Sequence, residues 1–287
     1  MTKSTYIYEA LNGASSFLKS KGREEAAARI ILQHELGMSH AGLLASMRDE
    51  LEESRYENYW SKIERHAAGT PIQHITGTEE FYGRPFLVNE NVLIPRPETE
   101  ELIEETLHLA ERYFPEGNPS IADIGTGSGV IAITMKCELP ASRAVATDIS
   151  EKALATAVEN AKRLNAEVSF KLGDLLEPIK DQKWDIILSN PPYIAFEEAP
   201  ELSDSVRDFE PHSALFAENQ GLALYEKMAA GLPEIVDKPS IIGFEIGYTQ
   251  GEAVKKLLKE AFPEAVVYIK QDINKNDRMV FCINEKL

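Results

Sequence analysis

Apolar positions recur every three or four residues along the first part of the chain. Ile7, Ala10, Leu11, Ala14, Phe17 and Leu18 follow helical spacing, Gly22 interrupts, and Ala26, Ile30, Ile31 and His34 resume the pattern up to Gly37. Ser39 is placed to cap a short helix in AGLLAS, and SRYENYWSKIERHAAG predicts another helix ending at Gly69. No β-rich run breaks this stretch, so residues 1–70 are expected to form a small helical domain.

The pattern changes at residues 71–95. Thr76-Gly77, the aromatic pair Phe81-Tyr82 and Gly83-Arg84-Pro85 predict a short hairpin or an extended linker. A helix then opens at Pro97, with Glu98, Glu100 and Glu101 at its start, where the helix dipole favours acids. From residue 120 apolar runs of strand length alternate with amphipathic segments. SIADIG, RAVATDI, VSFKLGD, WDIILSN and SIIGFEIG read as strands; VIAITMKCE, EKALATAVENAKRLN, a segment after Gly221 and GEAVKKLLKEAF read as helices. VVYIKQDINKNDRMVFCI closes the chain as a hairpin. Such alternation implies a mostly parallel, doubly wound α/β sheet, with antiparallel strands added by the hairpin. Residues 96–287 are therefore expected to form this α/β domain.

Composition adds a constraint on partners. The 287 residues carry 47 acids against 30 bases, net -17, and most of the excess lies after residue 95. General affinity for nucleic acid comes from Lys and Arg neutralising phosphates, so an acidic chain is a poor candidate for it. Cys137 and Cys282 lack metal-ligand spacing and read as reduced core cysteines. His66, His74 and His212 are scattered, without the spacing of a metal site. No apolar stretch approaches membrane-spanning length and the N-terminus does not resemble a signal peptide; a cytoplasmic location is expected.

Chemistry concentrates at strand ends. ADIGTGSGV sets Gly125, Gly127 and Gly129 between a strand and a helix. Glycine permits positive φ and close approach of a ligand to the backbone, and the helix N-terminus behind the loop favours a negative group. Val130 stands where a dinucleotide fingerprint requires glycine. The spacing D-x-G-x-G-x-G instead resembles the first motif of S-adenosylmethionine-dependent methyltransferases. Asp148 ends the next strand, placed to accept ribose hydroxyls; Asp174 and Leu175 follow the third, beside a possible adenine. Each alone is equally consistent with a tight turn or a helix cap.

The fourth strand ends in Asn190-Pro191-Pro192-Tyr193. Two prolines terminate a strand, and Asn-Pro is a common breaker. At the carboxyl edge of such a sheet, however, the same residues suit a planar NH2 acceptor. The Asn190 side-chain oxygen and the Pro191 carbonyl can accept its two N–H bonds, and Pro192 stiffens the backbone between them and Tyr193. Tyr193 can pack over the planar group. Arg96 and Glu98 are candidates for closing the site, or simply mark a Pro-bounded helix start. Glu197 to Glu210, with six acids and Arg207, reads as a solvated loop.

With LIPRPETEELIE, DIGTGSGVIAI, SNPPYI and FEIGYTQGEAV, together with the helical N-terminal region, nearly the whole chain resembles the release-factor glutamine methyltransferases, the PrmC/HemK family. The resemblance implies that residues 96–287 are a Rossmann-like class I methyltransferase catalytic domain with S-adenosyl-L-methionine as cofactor, and that the helical residues 1–70 serve substrate recognition. It implies methyl transfer to the side-chain amide nitrogen of the glutamine in the Gly-Gly-Gln loop of class I peptide chain release factors. The family's cofactor contacts fall on Gly125, Thr126, Gly127, Ser128, Gly129, Asp148, Leu175 and Asn190, and its substrate contacts on Asn190, Pro191, Pro192 and Tyr193. A ribosomal-protein glutamine is an alternative acceptor. So is adenine N6 in nucleic acid, against which the acidic catalytic part counts.

Overall fold

A computed structural model describes residues 5–116 and 118–285. The chain forms two compact units: Met1–Thr78 with Ser203–Phe209, and Glu79–Leu202 with Glu210–Leu287.

The first unit is built from β1 (Thr5–Tyr6), α1 (Ile7–Ser20), α2 (Ala26–Leu36), α3 (His40–Ala45), β2 (Glu50–Leu51), α4 (Glu53–Ala67) and α5 (Ile72–Thr76). Ile7, Ala10, Ala14 and Leu18 of α1 share one face and meet Leu43, Tyr59 and Ile63 in a common core. Tyr59 keeps its hydroxyl satisfied inside that core by donating to the Ala28 carbonyl at 3.0 Å. Ser39 caps α3, accepting from the Gly42 N–H at 3.1 Å. Three details differ from the sequence pattern. Thr5 and Tyr6 pair antiparallel with Leu51 and Glu50, a ladder too short to leave a β signature. Helix α2 buries Ala27, Ala28, Ile31 and Leu32, while Ile30 is 44% exposed. Helix α5, only five residues long, precedes the hairpin where a hairpin or linker alone was expected.

The second unit begins with the hairpin β3 (Thr78–Phe81) and β4 (Arg84–Leu87), then α6 (Pro97–Tyr113). Pro97 occupies the first helical position and Glu98 and Glu100 the first turn; Glu101 lies further on and accepts the Ile273 N–H at 3.1 Å. The alternating elements follow: β5 (Ser120–Ile124), α7 (Val130–Glu138), β6 (Arg143–Asp148), α8 (Glu151–Arg163), β7 (Val168–Leu172) and β8 (Trp184–Ser189). After α9 (Asp204–Arg207), which belongs to the first unit, come α10 (Ala223–Ile235), β9 (Val236–Glu245), α11 (Gly251–Ala261), β10 (Val266–Gln271) and β11 (Asp277–Asn284).

Seven strands form one sheet in the order β10-β11-β9-β8-β5-β6-β7. Strands β5 to β9 pair in parallel, and β11 runs antiparallel to both β9 and β10. Neighbouring residues serve opposite faces. Ile187 of β8, with Val280 and Cys282 of β11, packs toward Tyr225 and Met228 of α10 and Val254 and Leu258 of α11. Ile186 and Leu188, with Phe281, pack toward Leu102 and Ile103 of α6 and Ile131 of α7. Helices on both faces explain why β8 reads as an unbroken apolar run. Cys282 is buried and its thiol is pushed up to about 12 by that burial; both cysteines are free. Among the described residues, no helix is long and apolar enough to cross a membrane.

Candidate active site

Strand β5 has β6 on one side and β8 on the other, both parallel to it. The order of connections reverses there, and in open α/β sheets that reversal leaves a crevice at the carboxyl edge. A cavity of about 450 Å³ occupies this place, lined by residues from the ends of β5, β6, β7 and β8 and from the segment before α6.

The glycine loop forms one wall. Gly125, Gly127 and Gly129 have φ of +72°, +57° and +87°. A Cβ on Gly125 or Gly127 would meet nothing within 4 Å, so these two need glycine for their backbone and present a bare peptide face to the cavity they line. Gly129 differs: a Cβ there would stand 2.7 Å from Ile133 Cδ1 and 3.1 Å from Ala157 Cβ. It lets α7 and α8 approach. Thr126 and Ser128 are buried within the loop and line the cavity as well.

Two acids hold the loop. Asp123, fully buried in β5, accepts from Thr126 Oγ1 at 2.5 Å and from the Ala132 N–H at 3.1 Å. Its other oxygen has no hydrogen-bond partner among the described residues, and burial pushes its carboxyl up to about 7. Asp148 accepts from the Gly127 N–H at 2.9 Å and, through its other oxygen, from the Ser150 N–H at 2.8 Å. Both carboxylate oxygens are thereby oriented, with lone pairs remaining for a ligand at the cavity wall. The Asp148 carbonyl accepts from the Gly173 N–H at 3.0 Å, which brings Asp174 and Leu175 to the same wall. Leu175 takes φ +46°, an uncommon backbone for a branched side chain, and its carbonyl accepts from Thr147 Oγ1 at 3.2 Å.

Asn190, Pro191 and Pro192 form the opposite wall. The Asn190 amide nitrogen donates to Thr99 Oγ1 at 3.2 Å, and Thr99 donates to Glu245 Oε2 at 2.6 Å. Glu245 is buried at the end of β9, and burial pushes its carboxyl up to about 7 against the opposing influence of Thr99 and Arg278. Tyr193 stands outside the cavity lining and packs against the core on the α10 and α11 side of the sheet. Burial, reinforced by Glu245, holds its phenol well above the ordinary range. Its carbonyl accepts from Gln250 Nε2 at 2.8 Å, and a side chain on Gly221 would overlap that carbonyl.

Past Tyr193 the chain turns back on itself. Ile194 exchanges hydrogen bonds with the backbone of Leu215 and Ala217, each at 3.0 Å. Phe196 then stacks on Phe216 with ring centroids 5.4 Å apart, both at the cavity wall, and Phe196 is 57% exposed. Arg96 lines the cavity and pairs with Glu210 at 2.5 Å, whereas Glu98 does not line it. The acidic run from Glu197 to Glu210 is thus not a uniformly solvated loop. Glu210 is buried and Asp204 is tied to Arg23 of the first unit.

Four residues of the site escaped the sequence reading: Asp123, Thr99, Glu210 and Glu245. The available signal was an acid inside an apolar strand, as in ADI and FEI, since acids are almost never fully buried without a partner.

Comparison with known proteins identifies relatives of the chain. The family profile of the PrmC N-terminal domain matches residues 9–77, and that of the methyltransferase small domain matches residues 104–205. A release factor glutamine methyltransferase from Bacillus cereus is 48% identical over 278 residues, 96% of this chain and 98% of its own. The protein of the same name from Bacillus subtilis is 44% identical over 286 residues, 98% of each. A methyltransferase from Pyrococcus furiosus shares the fold, with a TM-score of 0.54 at 14% identity over 80% of this chain and all of its own.

Proposed function

The chain belongs to the release factor glutamine methyltransferases, and from that premise we propose how its residues carry out the transfer. The reaction moves a methyl group from S-adenosyl-L-methionine to the side-chain amide nitrogen, N5, of the glutamine in the Gly-Gly-Gln loop of class I release factors. The two Bacillus relatives, matched over nearly their full length, are both named for release factors, which favours that acceptor over a ribosomal-protein glutamine or adenine N6.

The cavity suits the cofactor. Its volume of about 450 Å³ falls within the range of small-molecule sites. The bare peptide face of Gly125 and Gly127 admits close approach of the methionine and ribose part. Thr126, Ser128 and Gly129 set the shape of that loop, Asp148 accepts the ribose hydroxyls, and Asp174 with Leu175 borders the adenine. When bound, the cofactor supplies an electrophilic methyl group on a sulfonium.

An amide nitrogen is a poor nucleophile because its lone pair is delocalised into the carbonyl. The chain's contribution is orientation and charge. Asn190 Oδ1 and the Pro191 carbonyl accept the two N–H bonds of the glutamine amide, so its nitrogen faces the cavity. Both acceptors become more valuable as positive charge develops on that nitrogen. Pro191 and Pro192 hold them at low entropic cost. Tyr193, with its ring in the core and its carbonyl held by Gln250, anchors the motif from behind. A cytoplasmic location follows from the substrate.

The carrying observation is Asn190 at the carboxyl end of β8, on the same cavity as the glycine loop. The test is transfer of a tritiated methyl group to purified release factor, to the factor with its loop Gln changed to Ala, and to DNA. Label is expected on the first alone. Equal labelling of the Gln→Ala factor would refute the assignment.

A further inference from the structure

Asn190 is useful only one way round. Its planar head carries an accepting oxygen and a donating nitrogen, and half a turn about its last torsion exchanges them. Only the oxygen accepts an N–H bond from a glutamine amide. Among the described residues nothing donates to Asn190 Oδ1, so its orientation is set from the nitrogen side.

That side is a chain of two hydrogen bonds reaching into the protein. Asn190 Nδ2 lies 3.2 Å from Thr99 Oγ1, and Thr99 Oγ1 lies 2.6 Å from Glu245 Oε2. Thr99 and Glu245 are both buried, and Glu245 is anchored further by its own carbonyl, which accepts from Tyr225 Oη at 2.6 Å. A hydroxyl has one proton to give. A carboxylate only accepts, so the Thr99 proton goes to Glu245, and only lone pairs remain toward Asn190. The Asn190 oxygen facing Thr99 would then meet another acceptor, and the nitrogen must turn there instead.

We propose that Thr99 and Glu245 form a polarity relay that fixes the amide of Asn190 with its oxygen toward the acceptor glutamine. Thr99 lines the same cavity and Glu245 lies behind it; both act through Asn190, as positioning residues. The proposal rests on the reading that Asn190 Oδ1 meets the amide nitrogen of glutamine.

Thr99→Val removes the hydroxyl at nearly constant shape, Thr99→Ser keeps it, and Glu245→Gln replaces the obligate acceptor by a group that also donates. Steady-state methylation of release factor, calorimetric binding of S-adenosylhomocysteine and thermal unfolding are measured for each, with wild type and Asn190→Ala alongside. Thr99→Val is expected to lower kcat roughly ten- to hundredfold, as misorientation of a reacting pair does, with KM for release factor and cofactor affinity within about threefold. Thr99→Ser is expected to recover kcat to within about threefold of wild type, and Glu245→Gln to lose about tenfold. Wild-type kcat in Thr99→Val, or a Thr99→Ser as slow as Thr99→Val, would overturn the relay while leaving the function intact. If Thr99→Val does not fold, Thr99→Ser and Glu245→Gln decide by the same criteria. Absence of glutamine labelling by wild type would overturn the function and the relay with it.

Discussion

Arg96, on the cavity wall, and the buried Glu210, separated by 114 residues of chain, meet at 2.5 Å, and the same carboxylate accepts the Ile94 N–H at 3.0 Å. One buried acid thus ties the segment before α6 to the segment that returns from the Asn-Pro-Pro-Tyr turn. Glu210→Ala leaves a half-buried guanidinium and a buried N–H without their partner. A loss of about 3 kcal/mol in unfolding free energy is expected, since breaking one side of a buried pair strands the other. Glu210→Gln, which can still accept from Ile94, is expected to lose less than Glu210→Ala. Chemical denaturation of the two variants makes the comparison.

The loop glycines should separate binding from stability. Gly127→Ala meets no neighbour and suffers only its positive φ, a cost of about 1 kcal/mol. Its methyl stands on the bare face offered to the cofactor, so affinity for S-adenosylhomocysteine is expected to fall at least about tenfold. Gly129→Ala collides with Ile133 and Ala157 as well as keeping a positive φ, and a stability loss of about 2–4 kcal/mol is expected from overpacking and backbone strain. Calorimetry and thermal melts on both variants test this contrast.

Asn190→Ala is expected to lower kcat about a hundredfold or more, the usual result of removing one preorganised group at a site of developing charge. Affinity for S-adenosylhomocysteine should stay within about threefold. An equal loss of affinity and activity would assign Asn190 chiefly to the cofactor.

Glu245 gives a pH dependence with a definite sign. Its carboxyl is raised from 4.5 to about 7, so the native state holds a proton that the unfolded state releases between those values. Stability contributed by this group therefore falls as pH rises from 4.5 to 7. Activity should move the other way, because only the ionised carboxylate obliges Thr99 to donate to it. The groups facing it are Arg278 on β11, Arg96 and Glu98 at the start of α6, Tyr193 after β8 and Tyr225 on α10. Wild-type kcat is expected to decline below pH of about 7, and Thr99→Val to lose most of that limb. Profiles of kcat against pH, with stability measured on the same solutions, separate the two effects.

Arg23 and Asp204 form a two-pronged pair, Nη1 to Oδ1 at 2.9 Å and Nη2 to Oδ2 at 2.6 Å. Arg23 holds the Asp204 carboxyl down at about 2. The pair is intact at neutral pH, and its contribution disappears only as pH falls from 3.8 through about 2. Asp204→Asn is expected to raise hydrogen exchange locally at residues 203–209 at neutral pH, with little change in global melting, as befits an exposed pair.

That the glycine loop and Asn190-Pro191-Pro192 line one cavity was legible because their residue types are unusual at strand ends and the strand–helix alternation puts those ends at one edge. Thr99 and Glu245 were not, because their role exists only where two elements 146 residues apart meet. Glu210 was indistinguishable from Glu197 and Glu198 by composition; its burial is decided by Arg96. Tyr193 was expected over the substrate as an aromatic in a motif, but the direction of its ring is set by space in the core beside α10 and α11. Helix α5 is too short for a period to show.

Residues 203–209 lie in the middle of the catalytic half of the chain yet pack into the helical unit, where Phe209 covers Gly69 and Asp204 grips Arg23. The polypeptide visits that unit twice. A fragment beginning at residue 79 would carry Phe209 and Asp204 away from what they are shaped to meet, and a fragment ending at residue 78 would lack them. At the level of the gene, then, the helical unit is not a cassette that one crossover can exchange. A transplant into another methyltransferase would have to bring both pieces, residues 1–78 and residues 203–209.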